Sequence, residues 1–133
     1  ILEGGAARLA AQHASEVEVR ALRAITARHA DVPPEDLATH VQLNRLFHQA
    51  IYQAARNRYL LVALNSLQDS LALLRETTYA APGRPAAALQ EHREIADAIE
   101  RRDAAAAEAA ARHHIHMGER ARLYLLFGAE KDL

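Results

Sequence analysis

The chain has 133 residues, with 16 basic and 17 acidic side chains and a formal net charge of −1. A segment with so balanced a charge lacks the basic face that phosphate contacts require, so we do not expect it to grip nucleic acid by itself. Cysteine is absent, which excludes a disulfide framework and a thiolate metal site. Half of the residues are hydrophobic and much of that half is alanine, a composition typical of a single helical domain.

The sequence contains no recognisable membrane or targeting segment. Its apolar runs are too short to span a bilayer, and no charged-then-apolar signal sequence stands at its start. We therefore expect a cytoplasmic protein. The chain opens with Ile1 and is already in a helical pattern there, so we interpret it as a fragment whose natural N-terminal part is missing.

Apolar periodicity, caps and breaks predict an all-α antiparallel bundle of about six helices in one domain, residues 1–133. Ser15 and Asp103 are predicted N-caps, the prolines of DVPPED interrupt the pattern, and Gly128 ends the last helix. The predicted helices run over about Leu2–His13, Glu16–Ala30, Glu35–Ala55, Tyr59–Thr78, Pro85–Arg101 and, after the Asp103 cap, to Phe127.

The apolar stripes predict which side of each helix faces the core. Asn57 is expected to cap the turn between the third and fourth helices. In the third helix, Asn44 and His48 fall within the apolar stripe. That stripe consists of Leu37, Val41, Phe47, Ile51 and Ala55. In the fourth helix, the residues predicted to face inward are Leu60, Leu64, Leu67, Leu71 and Leu74.

Two further histidines fall within apolar stripes. His92 lies 11 residues before Asp103, and His114 lies 11 residues after it. In an antiparallel hairpin both side chains would stand at the same height, about 16 Å from the turn. Three other histidines lie near helix ends and are predicted to be surface residues, namely His13, His29 and His40.

The sequence thus places imidazoles on the inner faces of three helices. Asn44 and His48 are four residues apart and share one face of their helix. Neutral imidazole binds zinc, nickel, copper and iron well, and facing helices of a bundle often build such sites. The alternative is that each buried histidine satisfies a local hydrogen bond. Three inward histidines at matched heights are costly unless they are paired or ligating, so we expect a metal site.

Two motifs resemble a known family. NRLFHQAIYQAARN is similar to the D-x-x-F-H…N signature of the FCD domain, the effector-binding domain of FadR-type GntR transcription regulators. EHREIADAIERRDAAAAEAAARHHI resembles the second signature of that domain, E-H-x-x-I-x-x-A-I…D-x-x-x-A…H. The opening ILEGGAARLAAQHA resembles the first helix of the family, so the resemblance covers essentially the whole chain.

The resemblance implies a metal and effector site in the core of the bundle. Its ligands would be Asn44, His48, His92 and His114, with zinc expected first and nickel or another divalent ion as alternatives. The family usually has Asp at the position of Asn44. Because an amide brings no charge, either the metal binds more weakly here or an anionic effector binds more strongly, and we expect the second outcome.

The resemblance also implies partners. These are a small carboxylate effector, a second copy of the chain in a homodimer, and operator DNA. The homodimer would form through the first and fourth helices. The DNA would be bound by an N-terminal winged helix-turn-helix domain that this chain lacks. Candidate contacts to the effector are Arg20, Tyr52, Asn65, Gln68 and Arg75. For each of them the alternative is a solvated helix surface.

Two other functions compete with the sensor. A three-histidine metal in a bundle could activate water for hydrolysis, and a bundle without a metal could serve interaction alone. Glu91 and Glu94 flank His92 but are expected to lie off its stripe, so the inner faces lack an obvious general base. We therefore expect the chain not to be an enzyme.

Overall fold

The predicted all-α bundle is confirmed by a computed structural model, which describes residues 1–74 and 76–128. Within these residues there are six α helices, one 3-10 turn and no strand. No helix in this part of the chain has the length and apolarity needed to cross a membrane. The elements are α1 (Leu2–His13), α2 (Glu16–Ala30), α3 (Leu37–Ala54), α4 (Arg58–Ala72), the 3-10 turn (Thr78–Ala80), α5 (Arg84–Glu100) and α6 (Ala104–Phe127).

Side-chain caps determine where four of the helices begin. Ser15 forms a capping box at the start of α2, and Asp103 caps α6, as the sequence predicts. Asn57 caps α4, which also confirms its predicted role. Asp36 accepts a hydrogen bond from the backbone N–H of Thr39. Because Asp36 is the cap, α3 begins at Leu37, two residues later than the apolar pattern predicts.

Helix α1 packs closely against the rest of the bundle because its inner face is built from small residues. It contacts α3, α5 and α6. A Cβ atom added to Gly4 would lie 2.9 Å from Cγ of Arg112 in α6, so the glycine is needed for this approach. The alanines of this face have no exposed surface: Ala6, Ala7, Ala10 and Ala11. The close packing also brings the neighbouring Glu3 toward the interior.

The fourth helix differs from its prediction. It ends at Ala72 rather than Thr78, and only Leu64 of its predicted inner face is fully buried. The exposed fractions of Leu67, Leu71 and Leu74 are 50%, 55% and 48%. The prediction that they face the core of this chain is therefore wrong. An apolar stripe indicates burial against some partner, and it continues here beyond the turns of α4 that contact α1 and α3.

The inner face of α3 is also rotated from the prediction. Val41 is 42% exposed, whereas Leu43, which the predicted stripe omits, is 1% exposed. Phe47 and Ile51 are buried as predicted. This rotation leaves His48 buried and Asn44 half-buried.

The cap of α4 provides a test of the fold. Asn57 Oδ1 accepts hydrogen bonds of 3.1 Å from the backbone N–H groups of both Tyr59 and Leu60. We expect Asn57→Ala to lower the free energy of unfolding by about 1 kcal/mol, measured by urea denaturation. Asn57→Asp retains the acceptor and is expected to keep most of the stability. Equal losses in the two variants would contradict the capping role.

Candidate metal centre

Three histidines from three helices converge in the core. His48 of α3, His92 of α5 and His114 of α6 are 5%, 0% and 5% exposed. The Nε2 atoms of His48 and His114 are 3.1 Å apart, and those of His92 and His114 are 3.3 Å apart. Each ring offers one nitrogen that lies within 4.8 Å of the other two. The structure therefore brings together the three imidazoles that the spacing about Asp103 predicts to be neighbours.

Buried carboxylates determine which nitrogen of two rings carries the hydrogen. His48 Nδ1 lies 3.2 Å from Glu3 Oε2, and His114 Nδ1 lies 2.6 Å from Glu91 Oε2. Each Nδ1–H donates to its carboxylate, so in the neutral rings both Nε2 atoms carry lone pairs. These lone pairs face each other at 3.1 Å. Such an approach is repulsive unless a cation lies between the rings, either an additional proton or a metal ion.

The separations fit a metal ion. Zinc binds imidazole nitrogen at about 2.0–2.1 Å, so two ligands of a tetrahedral ion lie about 3.3–3.4 Å apart. The observed Nε2 separations of 3.1 and 3.3 Å are close to that value. A carboxylate on the far nitrogen also orients a ligating histidine and raises its basicity, as it does in many metal sites. The donor set, its spacing and its outer partners all suit a divalent transition metal.

Glu3 is the centre of a polar network on the His48 side. It accepts hydrogen bonds from the Tyr52 hydroxyl and from Gln68 Nε2, the latter at 3.2 Å. Burial alone would raise the pKa of Glu3, but the interaction with His48, followed by the hydrogen bonds from Tyr52 and Gln68, lowers it. Burial, and then the charge of Glu3, raises the pKa of Tyr52. Glu3 is therefore an anion, and Tyr52 is a neutral donor. Tyr52 and Gln68 contact Glu3, which in turn contacts His48.

Glu91 has the corresponding place on the His114 side. It is 6% exposed, and its Oε1 accepts a hydrogen bond of 2.6 Å from Arg84 Nη1. Burial would raise the pKa of Glu91, but the hydrogen bonds from His114 and Arg84 lower it. Arg84 Nη2 lies 3.4 Å from His114 Nδ1, whose hydrogen is already directed to Glu91, so this last contact is not a hydrogen bond.

The expectation that Glu91 lies off the inner face of α5 is wrong, whereas Glu94 is exposed as expected. The buried side of α5 is wide enough to include both Glu91 and His92. Both oxygens of Glu91 are engaged on the Nδ1 side of His114, away from the converging Nε2 atoms. This carboxylate is consequently placed to orient a histidine rather than to act as a general base.

Asn44 makes a different contact from the histidines. Its Oδ1 accepts a hydrogen bond of 3.2 Å from the hydroxyl of Tyr79, in the 3-10 turn. Burial raises the pKa of Tyr79, so this phenol is a neutral donor. An amide oxygen has two lone pairs, and the second is still available to another partner.

Two of the remaining candidates for effector contact, Asn65 and Arg20, have their described contacts away from the histidines. Asn65 accepts a hydrogen bond of 2.7 Å from Gln49. Arg20 lies on the exposed side of α2, with Nη1 3.8 Å from a carboxylate oxygen of Glu16. Arg75 lies outside the described residues.

The sequence misses a second histidine pair beside the centre. His29 and His40 are 2% and 3% exposed, so the prediction that they are surface residues is wrong. The Nε2–H of His40 donates to the carbonyl of Pro33, and the Nε2–H of His29 then donates to His40 Nδ1 at 2.7 Å. The rings of His29 and His92 are 5.8 Å apart. The spacing of Leu22, Thr26 and His29 on α2 could have indicated this burial, because it is helical.

The fold and the site together define an all-helical domain with a candidate metal centre in its core. The model of the FCD domain family matches residues 1–117, which is most of the chain. The chain belongs to this family, and the resemblance drawn from its motifs is confirmed. FCD domains occur in transcription regulators, so the chain is placed among regulatory, ligand-sensing domains. No individual curated protein is significantly similar to the chain.

Burial of His29 predicts a dependence of stability on pH. Burial, and then the charge of His40, lowers the pKa of His29 to about 4. The unfolded chain, with an ordinary pKa of about 6.5, therefore takes up the proton first as the pH falls. The resulting stability is present above pH 6.5 and is lost toward pH 4. Between pH 7 and pH 5 we expect this group to cost roughly 2 kcal/mol of unfolding free energy.

Urea denaturation at the two pH values, in the presence of a chelator, measures this loss. We expect His29→Leu to lose less stability between pH 7 and pH 5 than the unsubstituted protein. His13→Leu is the matched control because His13 is exposed, and it should keep the full dependence on pH. The same loss in His29→Leu as in the control would contradict the assignment.

Proposed function

We propose that the chain is the sensing domain of a transcription regulator of the GntR type. We further propose that it binds a divalent transition metal, which we expect to be zinc, through His48, His92 and His114. The observation that supports this most is the 3.1 Å separation of the Nε2 atoms of His48 and His114. Both Nδ1 hydrogens are directed to carboxylates, so the facing lone pairs call for a cation. When bound, the metal would supply that charge and an attachment point for an anionic ligand.

Asn44 belongs to the proposal as a neutral oxygen donor. Its Oδ1 can keep the hydrogen bond from Tyr79 and use its second lone pair toward an ion. The charge that the amide does not supply comes from farther out, where Glu3 and Glu91 are anionic and Arg84 is cationic. These three groups sum to one negative charge, so a divalent ion would leave one positive charge on the site. A small organic acid with one carboxylate balances that charge.

The positions of the carboxylates favour a sensor over a hydrolase. Glu3 and Glu91 both lie on the Nδ1 side of a histidine, away from the convergence of the Nε2 atoms. Neither is placed to deprotonate a water molecule there. Tyr52 and Gln68 hold Glu3 in this place, so they contribute to the site through that carboxylate.

The proposed mechanism is a shift between two arrangements of a regulator. A bound acid favours the arrangement for which it has the higher affinity, and this changes the operator affinity of an N-terminal DNA-binding domain outside this chain. We further propose that the chain forms a homodimer through α1 and α4. The exposed leucines at positions 67, 71 and 74 lie on one face of α4 and its C-terminal turn and would be covered by the second copy.

Removing one imidazole tests the metal centre. Titration with Co²⁺, followed by its visible absorption and by competition with a chromophoric chelator, is expected to show one ion bound per chain. We expect His114→Ala to lower the affinity by more than about 100-fold, because it removes a nitrogen that faces both other rings. His113→Ala changes the adjacent exposed residue and should leave the affinity unchanged. Equal affinity in the two variants would contradict the proposal.

The outer carboxylates can be tested without removing a ligand. In Glu3→Gln and Glu91→Gln an oxygen can still accept the histidine hydrogen, but the negative charge is lost. We expect each to weaken metal binding by about 10–100-fold in the same competition assay. Glu94→Gln, on the exposed side of α5, is the control. An unchanged affinity in both of the first two variants would show that their charge does not act on the centre.

A further inference from the structure

A cavity of about 460 Å³, open to solvent on one side, lies between the start of α5 and the C-terminal half of α6, beside the histidine centre formed by His48, His92 and His114. Its walls include the apolar side chains of Pro82, Ala87, Met117 and Tyr124. Two arginines, Arg84 and Arg120, also line it. The volume lies within the range of cavities that hold small organic ligands, and the combination of an apolar wall with a few cationic groups is typical of them.

Arg84 connects this cavity to the histidine centre. Within residues 1–74 and 76–128, it is the one arginine or lysine that is buried, with an exposed fraction of 6%. Its Nη1 donates to Glu91, but its Nε is a buried donor that has no partner in this part of the chain. A buried donor without an acceptor is costly. Arg84 lines the cavity, and its guanidinium is only partly satisfied by the described residues.

The charges around the cavity favour one negative charge in a ligand. Arg84 is already paired with Glu91. Arg120 is exposed at the rim, and it forms no ion pair with the described residues. Helix α5 begins at Arg84, after a Gly83 whose left-handed φ of 72° turns the chain, and no side chain caps this positive end. The cavity therefore has one cation, Arg120, that no described acidic residue neutralises, and its walls suit the apolar part of a ligand.

We propose that this cavity is a second anion site, distinct from the metal centre, and that it binds a small monocarboxylic acid with an aliphatic or aromatic body. The carboxylate is held by Arg120 and Arg84, and the body lies against Met117, Pro82 and Tyr124. The inference rests on the proposed sensing function and deepens it, because it names a place for the acid other than the metal.

The same arginine couples the two sites. Arg84 faces His114 Nδ1 at 3.4 Å, so its positive charge opposes a cation at that histidine. A carboxylate on Arg84 neutralises this charge and leaves Glu91 more available to His114. The acid and a metal ion therefore favour each other's binding. Because coupling is reciprocal, each ligand raises the affinity of the other by the same factor, expected to be about fivefold or more.

Hexanoate serves as the probe of the cavity. Met117 is the one methionine of the sequence, so a ¹³C-methyl label on it reports on the cavity wall. In the chelator-treated protein, hexanoate is expected to shift the Met117 signal in a saturable manner. Hexanol lacks the charge and acetate lacks the body, so both should bind at least tenfold more weakly. In protein loaded with Zn²⁺, hexanoate should bind about fivefold more tightly or better.

Arg120→Gln tests the site without disturbing the buried centre. We expect this variant to bind hexanoate about tenfold more weakly or worse, because it removes a charge-assisted contact. The affinity for Zn²⁺ in the absence of acid should be unchanged. Arg28→Gln, an exposed arginine of α2, is the matched control and should bind hexanoate normally.

The outcomes separate this inference from the metal proposal. In one outcome hexanoate binds only with Zn²⁺ present, does not shift the Met117 signal and binds equally well to Arg120→Gln. The acid then lies on the metal, and the second site is overturned. If hexanoate fails to bind under both conditions, the second site is overturned as well. In another outcome hexanoate shifts the Met117 signal, the shift is lost in Arg120→Gln, and Zn²⁺ does not bind. The proposed acid site is then supported and the proposed metal centre is overturned.

Discussion

The rest of the structure depends on two imidazoles, His48 and His114, whose Nε2 lone pairs face each other. Each ring is oriented by a buried carboxylate that accepts its Nδ1 hydrogen. The carboxylates come from two different helices, Glu3 from α1 and Glu91 from α5. Neither helix can move away from its ring without breaking this hydrogen bond. The arrangement therefore fixes the positions of four helices, α1, α3, α5 and α6, relative to one another, and it explains why polar groups occupy space that apolar side chains would fill at lower cost.

Most buried polar groups around the centre are linked in two hydrogen-bonded chains, and the atoms without partners lie in the centre or beside it. Arg84, Glu91 and His114 form one chain of contacts, and Tyr52, Glu3 and His48 form another. Buried side-chain atoms without partners in the described residues are His29 Nδ1, His92 Nδ1 and Arg84 Nε. All three belong to the histidine centre or border it. Such exceptions tend to mark functional sites, where local cost is retained for a role that stability alone does not require.

Much of the fold could be predicted from the sequence because its rules are local. The helix caps Ser15, Asn57 and Asp103 depend on residues within one turn, and the structure confirms them. The proximity of His92 and His114 could be predicted because a short hairpin sets equal heights on both sides of its turn. These predictions need only the geometry of a helix and the position of a turn.

The outer parts of the site could not be predicted in this way. Glu3 lies in the first turn of a helix, where an acidic residue is also favoured by the helix dipole, and its partner His48 is 45 residues away in the chain. The apolar stripe of α5 does not include Glu91, because a single stripe is narrower than the buried side of this helix, which faces several elements. His29 and His40 lie near helix ends, where only tertiary packing decides burial, so local rules predict them to be exposed although they are buried.

The alanine face of α1 has a mechanical consequence. Leucine side chains interdigitate deeply and hold two helices in register, whereas methyl groups present a nearly smooth surface. Helix α1 rests on α5 and α6 through such a surface, so a shear along its own axis meets less resistance than a movement away from them. The same shear would carry Glu3 along the ring of His48. The smallest side chains of the protein thus give its first helix a surface that permits sliding, with one end at the candidate metal centre.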